Sequence, residues 1–130
     1  MELHLKIIGI VLVALSLSHL AFPVYFKWAR ELSSLSLVNR QMVYVHTLFI
    51  ALAVLLMGLL CITSSDELIR TPFGRRIALG LGVFWAFRFF IQFFGYSAAL
   101  WKGKKFETAI HIFFTVFWAY ASIVFLTIWA

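Results

Sequence analysis

The sequence predicts an all-α fold, an integral membrane four-helix transmembrane bundle with short turns and both chain ends on the same side. Three observations predict it. The chain is 64% hydrophobic and 12% charged, whereas soluble domains are about 45–50% apolar and about 25% charged. Its mean hydropathy is +1.01. Residues 7–26, 41–65 and 108–130 contain no Lys, Arg, Asp or Glu, and residues 77–101 contain only Arg88. A helix crosses a bilayer core with about 20 apolar residues, so the four stretches predict four spans.

The first two spans follow from the first two apolar stretches. We expect span one at about residues 3–22, where Pro23 ends or kinks the helix because proline has no N–H for the helical hydrogen bond. Residues 24–40 mix charged, aromatic and serine residues, which is typical of an interfacial turn or a short amphipathic helix. We expect span two at about residues 39–62, with Asn39 as its N-cap.

The last two spans are separated by short polar segments. Residues 71–74 predict a turn, after which we expect span three at about residues 76–98. The basic segment at residues 102–105 predicts the third turn, and span four is expected at about residues 106–130. No repeat or linker divides the chain, so residues 1–130 are predicted to form a single transmembrane domain.

The net charge of +6 is carried by basic residues that flank the apolar stretches. This placement favours lipid headgroups over nucleic acid as partners. Four spans put the chain ends and the second turn on one side (side A), and turns one and three on the other (side B). Side A carries four basic residues: Lys6, Arg70, Arg75 and Arg76. Side B carries six: Lys27, Arg30, Arg40, Lys102, Lys104 and Lys105. The positive-inside rule therefore predicts that side B faces the cell interior, with the protein in the cell (inner) membrane.

One polar residue from each span falls at a similar depth in the side B half of the bilayer. These residues are His19, His46, Gln92 and His111. Their depth follows from counting about 1.5 Å per residue from the side B end of each helix. Arg88 lies one turn deeper than Gln92. Because intramembrane polar side chains normally face the interior of a bundle, we expect this set to converge on one cavity.

Helical spacing places the polar residues of spans three and four on single faces. The face of span three carries Trp85, Arg88, Gln92 and Tyr96. The face of span four carries Thr108, His111, Thr115, Trp118 and Ser122. These two stripes are expected to line the cavity.

Arg88 is the strongest single indication of function. No acidic residue lies in any apolar stretch to neutralise it, and an arginine at the centre of a membrane helix costs about 3 kcal/mol on insertion scales. We expect it to hold an anionic group or a carbonyl, such as a propionate, a phosphate, a carboxylate or a quinone oxygen. The alternative is that Arg88 bonds backbone carbonyls, Tyr96 or water, or extends toward side B.

The histidines suit several ligands. His19, His46 and His111 together match the ligand types of zinc or copper, and two of them suit a haem iron. They also suit hydrogen bonding to a quinone head or proton transfer. In each case Gln92 and Tyr96 are expected to orient the ligand. The alternative is a structural polar layer, because an intramembrane histidine often only bonds a neighbouring helix.

The lack of acidic residues in the apolar stretches argues against several functions. A di-iron site needs membrane carboxylates, a Ser-His-Asp set needs a buried acid, and proton-coupled export usually needs an intramembrane carboxylate. The single cysteine, Cys61, excludes an internal disulfide.

A stripe of small residues recurs every four positions in span three. It consists of Gly74, Ala78, Gly82 and Ala86. Small residues at this spacing let helices approach closely. The stripe predicts packing within the bundle, and the alternative is a face for a homo-oligomer or a larger membrane complex.

Together these patterns predict a small ligand- or cofactor-binding membrane protein, with a haem or a quinone as occupant and a role in electron transfer. One alternative is a structural or accessory subunit of a membrane complex. Another is a pathway for anions or small solutes lined by Arg88 and the histidines. No motif decides whether the protein is an enzyme.

Overall fold

The computed structural model describes residues 1–95, 100 and 103–130. All regular elements in this part of the chain are helical. Four helices are long and apolar enough to cross a membrane: Glu2–Tyr25, Leu37–Thr63, Pro72–Phe94 and Lys105–Trp129. The predicted all-helical class with four apolar helices is therefore confirmed.

The first apolar helix changes its geometry near Pro23. It begins as α1 (Glu2–Ser18), passes through a 3-10 turn (His19–Ala21) and continues as α2 (Phe22–Tyr25), after which α3 (Trp28–Glu31) follows. Pro23 has no N–H, and the carbonyl of His19 accepts from the N–H of Phe22 instead. Lys27 has a left-handed backbone conformation, with φ 54°, and separates α2 from α3.

The second apolar helix, α4 (Leu37–Thr63), is followed by the short α5 (Ser65–Arg70). Its N-cap is Ser36, whose Oγ accepts a hydrogen bond from the backbone N–H of Asn39 at 3.3 Å. The prediction of Asn39 as the cap is wrong. Asn39 lies in the first helical turn and supplies the unpaired N–H that the serine hydroxyl satisfies.

The last two apolar helices are α6 (Pro72–Phe94) and α7 (Lys105–Trp129). Thr71 caps α6 by accepting a hydrogen bond from the N–H of Gly74 at 2.9 Å, and its own hydroxyl donates to the carbonyl of Glu67 at 2.7 Å. Residues 71–74, predicted as a turn, thus form the cap and first turn of α6, because proline is well suited to the first helical position.

The described helices form two compact units. The N-terminal unit is Glu2–Ser65, in which α1 packs against α4. The C-terminal unit is Asp66–Ala130 together with Met1, and in it α6 packs against α7. That all four helices form a single bundle stays a prediction.

In the N-terminal unit, two glycines let α1 and α4 come into backbone contact. A Cβ added to Gly9 would lie 2.7 Å from the carbonyl oxygen of Gly58 and 2.6 Å from Cγ1 of Ile62. Ile8 and Leu12, on the same side of α1, are fully buried. The approach therefore depends on the absence of a side chain at position 9.

In the C-terminal unit, the small-residue stripe lies in the helix interface. Gly74 and Gly82 are buried and Ala78 is fully buried. A Cβ added to Gly82 would lie 2.7 Å from Cδ2 of Leu126 in α7. The stripe packs within the unit, in line with the first of its two interpretations, while a homo-oligomer through it stays a prediction.

The outward faces of the long helices are apolar. Only 22–33% of the most apolar window of each helix is buried. Large exposed side chains include Leu17, Leu48, Phe87 and Phe94, the last of which is 84% exposed. Exposed apolar side chains on four helices of this length are compatible with a membrane protein.

Candidate functional site

Gln92 links α6 to α7 through its side-chain amide. Its Oε1 accepts a hydrogen bond from Nη1 of Arg88 at 3.0 Å. Its Nε2 lies 3.1 Å from Nδ1 of His111 and donates to the carbonyl oxygen of His111 at 3.2 Å. Gln92 is only 4% exposed. A buried amide must satisfy its polar atoms, and this one does so with partners on both helices.

These contacts fix the orientation of the amide and the tautomer of His111. A guanidinium only donates hydrogen bonds, so the amide oxygen faces Arg88 and the amide nitrogen faces His111. Since an amide nitrogen only donates, Nδ1 of His111 accepts. A neutral His111 then carries its proton on Nε2 and presents a donor there.

A pair of stacked indoles lies beside this network. The ring centroids of Trp85 and Trp118 are 4.7 Å apart and their planes are inclined by 4°. Cζ of Arg88 lies 5.3 Å from the ring centroid of Trp118, within the range of a cation–π interaction. Arg88, which is half-buried, thus contacts an aromatic face as well as the amide oxygen of Gln92.

The indole N–H groups of Trp85 and Trp118 are buried, and neither has a hydrogen-bond partner among the described residues. An unpaired buried donor costs about 1–3 kcal/mol. Two such donors on adjacent stacked rings therefore call for an explanation. Both indoles donate only, so the partner they lack is an acceptor atom.

A second feature, in the N-terminal unit, surrounds His19. A cavity of about 250 Å³ is lined by His19, Leu20, Pro23, Trp28, Tyr44, Thr47, Leu48 and Ala51. The rings of Trp28 and Tyr44 meet edge to face at 5.4 Å. Nδ1 of His19 lies 2.8 Å from the carbonyl oxygen of Leu15. A carbonyl only accepts, so Nδ1 carries the proton and Nε2 of a neutral His19 has the lone pair.

The structure brings together only some of the predicted site residues. Arg88, Gln92 and His111 form one hydrogen-bonded cluster within the C-terminal unit. His19 lines the cavity of the N-terminal unit, whereas His46 is exposed and is not among the residues that line it. Tyr96 lies outside the described residues.

The metal prediction gains no support from these positions. Within the part of the chain that the structure describes, no three His, Cys, Asp or Glu side chains form a group that could hold a metal ion. The donor at Nε2 of His111 also suits hydrogen bonding better than ligation. A metal held by His19, His46 and His111 stays a prediction.

The stripes in the sequence contain Arg88, Gln92 and His111, which the structure brings into contact, but they do not indicate two properties of this cluster. Helical spacing alone does not show that Trp85 stacks on Trp118 or that their N–H groups are unpaired. Both depend on the alignment of α6 against α7. The sequence does not indicate the cavity around His19, because Trp28 lies in a segment with the composition of an interfacial turn and Tyr44 belongs to no polar stripe.

The chain was compared with family models, with curated proteins and with solved structures, and no match was found in any of the three.

Proposed function

We propose that the chain is an integral membrane protein that binds a ligand with hydrogen-bond acceptors at the α6–α7 cluster. A quinone is the ligand class that fits best, and the role is electron transfer. The observation that carries the proposal is the pair of buried indole N–H groups beside Arg88, which have no partner among the described residues. Haem or another apolar anionic ligand is the competing occupant.

The donor chemistry of the cluster supports this ligand class. Trp85 and Trp118 offer N–H groups, and Arg88, beside the ring of Trp118, carries a permanent positive charge. Such a set complements carbonyl or anionic oxygens. A flat apolar ring with carbonyl oxygens also matches the aromatic surroundings. A bound quinone would supply redox chemistry by accepting two electrons and two protons.

Haem fits the same residues less well. An axial histidine usually donates from one ring nitrogen to a protein acceptor and binds iron through the other. In His111 the amide of Gln92 donates to Nδ1, which is the reverse arrangement. His19 has the tautomer that suits a ligand, since its Nδ1 faces the carbonyl of Leu15. His19 and His46 remain in the proposal as candidate ligands of a second bound cofactor.

The site is tested with a short-chain quinone. We expect decylubiquinone to bind saturably to the detergent-purified protein, measured by calorimetry, and Arg88→Gln to weaken binding at least about tenfold, because it removes a charged donor. Trp118→Phe keeps an aromatic ring and removes the N–H, and it should also weaken binding. Arg40→Gln makes the same charge change in α4 and should leave binding unchanged.

Two results obtained with the same preparation would contradict this proposal. A Soret band in its absorbance spectrum would identify haem and overturn the quinone assignment. Absence of saturable quinone binding in a folded protein, verified by circular dichroism, would overturn the ligand site itself.

The membrane location is supported by the exposed apolar faces of the four long helices. We propose that both chain ends lie on side A and that turns one and three face the cell interior, in the inner membrane. This orientation follows from the larger number of basic residues on side B, by the positive-inside rule.

Topology is tested by labelling single cysteines in a Cys61→Ser background. An impermeant maleimide added to intact cells should label Arg76→Cys, on side A, and should not label Lys104→Cys, on side B, until the membrane is opened. Labelling of both positions, or the reverse pattern, would contradict the proposed orientation.

A second candidate function is an accessory subunit whose polar layer fixes the alignment of its helices. It is favoured by Gln92, because its side-chain oxygen and nitrogen are both satisfied within one helix pair. An accessory subunit should co-purify with a partner from native membranes. Its Arg88→Gln variant should lose stability, and neither this variant nor the wild-type protein should bind the quinone.

A further inference from the structure

A cavity of about 380 Å³ lies at the start of α6, well separated along the helix from Arg88. It is lined by Arg70, Pro72, Arg75, Arg76 and Trp129. All of these residues belong to the C-terminal unit. Three arginine residues line this space and make it strongly positive, because arginine keeps its charge at any physiological pH.

The nearby contacts leave most of this charge uncompensated. Arg70 forms an ion pair with Asp66, in which both side chains are more than half exposed. Arg75 donates from Nε to the carbonyl of Ile69 at 3.3 Å, a contact that leaves its charge in place. Arg76 has no hydrogen bond or ion pair with any described residue. Glu67, also on α5, is exposed and is not among the lining residues. Within the described part of the chain, the three arginines that line the cavity therefore have one direct acidic partner, Asp66.

The backbone adds to the positive potential. Pro72 is the first residue of α6 and forms part of the cavity wall. The N-terminus of a helix of this length carries a partial positive charge and favours anions. The indole of Trp129 provides an amphipathic wall of the kind found where membrane proteins meet headgroups.

We propose that this cavity is a binding site for a phosphate group, with the guanidinium groups of Arg75 and Arg76 as its principal ligands. Planar guanidinium groups bind phosphate oxygens in a bidentate manner. The group can belong to an anionic phospholipid headgroup or to a soluble phosphate. The lipid source rests on the proposed membrane location, whereas the cavity itself is independent of the quinone site.

The experiment titrates the intact protein in a neutral detergent with dihexanoyl phosphatidylglycerol, with dihexanoyl phosphatidylcholine and with inorganic phosphate, using calorimetry. We expect saturable binding of the anionic lipid that weakens at high salt. Arg75→Gln combined with Arg76→Gln should reduce the affinity about 30-fold. Each basic residue near an anionic headgroup contributes about equally to the binding free energy, so the two losses of affinity multiply. Lys104→Gln combined with Lys105→Gln removes the same charge elsewhere and should have no effect.

The titrations also distinguish the two sources. Binding of the anionic lipid that inorganic phosphate does not compete away identifies a headgroup site. Binding of inorganic phosphate with similar affinity, sensitive to the same arginines, identifies a site for soluble phosphate. Equal binding of the two lipids, or binding unaffected by the arginine substitutions, overturns the proposal.

One single substitution serves as the control that separates loss of binding from loss of folding. Arg76 has no partner within the described part of the chain, so Arg76→Gln should keep the wild-type circular dichroism and elution volume while weakening binding. A folded Arg76→Gln protein with unchanged affinity, like an absence of any saturable binding, would also overturn the proposal. Loss of quinone binding in the Arg88 variants bears only on the quinone site, so the two failures are distinguishable.

Discussion

Replacing Gly58 with leucine is expected to separate α1 from α4 and to cost about 3 kcal/mol of the stability of the N-terminal unit. A Cβ at position 58 would lie 2.9 Å from the carbonyl oxygen of Gly9 and 2.9 Å from Cγ2 of Val13. The first of these atoms belongs to the backbone and cannot move aside without displacing the helix. A leucine side chain needs still more space than a single Cβ. The helices must therefore move apart, which also disrupts the packing around Leu12.

Gly80→Leu is the matched control for this prediction. Nothing lies within 4 Å of a Cβ built at Gly80, which is exposed on α6. The same substitution there should leave stability unchanged or raise it by up to about 1 kcal/mol, because leucine has the higher helix propensity. Both variants are compared by unfolding in mixed detergent micelles, followed by tryptophan fluorescence. Equal midpoints for wild type and Gly58→Leu would contradict the close helix contact.

Replacing Gln92 with leucine is the second substitution with a large expected effect. Leucine keeps most of the volume but removes the acceptor of Arg88 and both hydrogen bonds that the amide nitrogen donates to His111. Interhelical hydrogen bonds in membranes contribute about 0.6 kcal/mol on average and about 1–2 kcal/mol in model peptides. Because the substitution abolishes these three hydrogen bonds and deprives a guanidinium of its amide acceptor, we expect the C-terminal unit to be destabilised by about 2 kcal/mol.

A spectroscopic readout separates this effect from a simple change in packing. In the wild-type protein, the nitrogen chemical shifts of His111 should show the proton on Nε2 and an accepting Nδ1. Gln92→Leu should change the Nδ1 shift, because the donor to that atom is removed. Gln41→Leu makes the same substitution at an exposed position of α4 and should alter stability by less than about 0.5 kcal/mol. An unchanged His111 signal in Gln92→Leu would refute the hydrogen bond.

The fold class could be predicted from the sequence because its signal extends over whole helices. An uncharged apolar stretch longer than a bilayer span allows few alternatives. The sequence also shows that Arg88 and Gln92 share one helix face and that His111 lies on a polar face of another helix. A polar residue in an apolar helix is expected to turn toward a partner. These predictions depend on spacing within one helix.

Features that depend on two helices at once were not predictable. Gly9 and Gly58 are isolated glycines in their own helices, and only the pairing of α1 with α4 shows that they meet. The cap of α4 was not predictable for a reason within one helix: the start of the helix, and not residue type alone, decides which hydroxyl or amide reaches the free N–H, so that Ser36 caps α4 in place of Asn39. The exposure of His46 follows from the rotation of α4 against its neighbour.

The two contacts that join α6 to α7 are spaced identically on both helices. Trp85 precedes Gln92 by seven residues, and His111 precedes Trp118 by seven residues. Seven residues are close to two helical turns, so the stacked rings and the amide bridge are both formed in one alignment only. Deleting or inserting a single residue between them rotates one contact by about 100° out of the interface. This stretch of each helix should therefore tolerate substitutions on its outer face but no change of length.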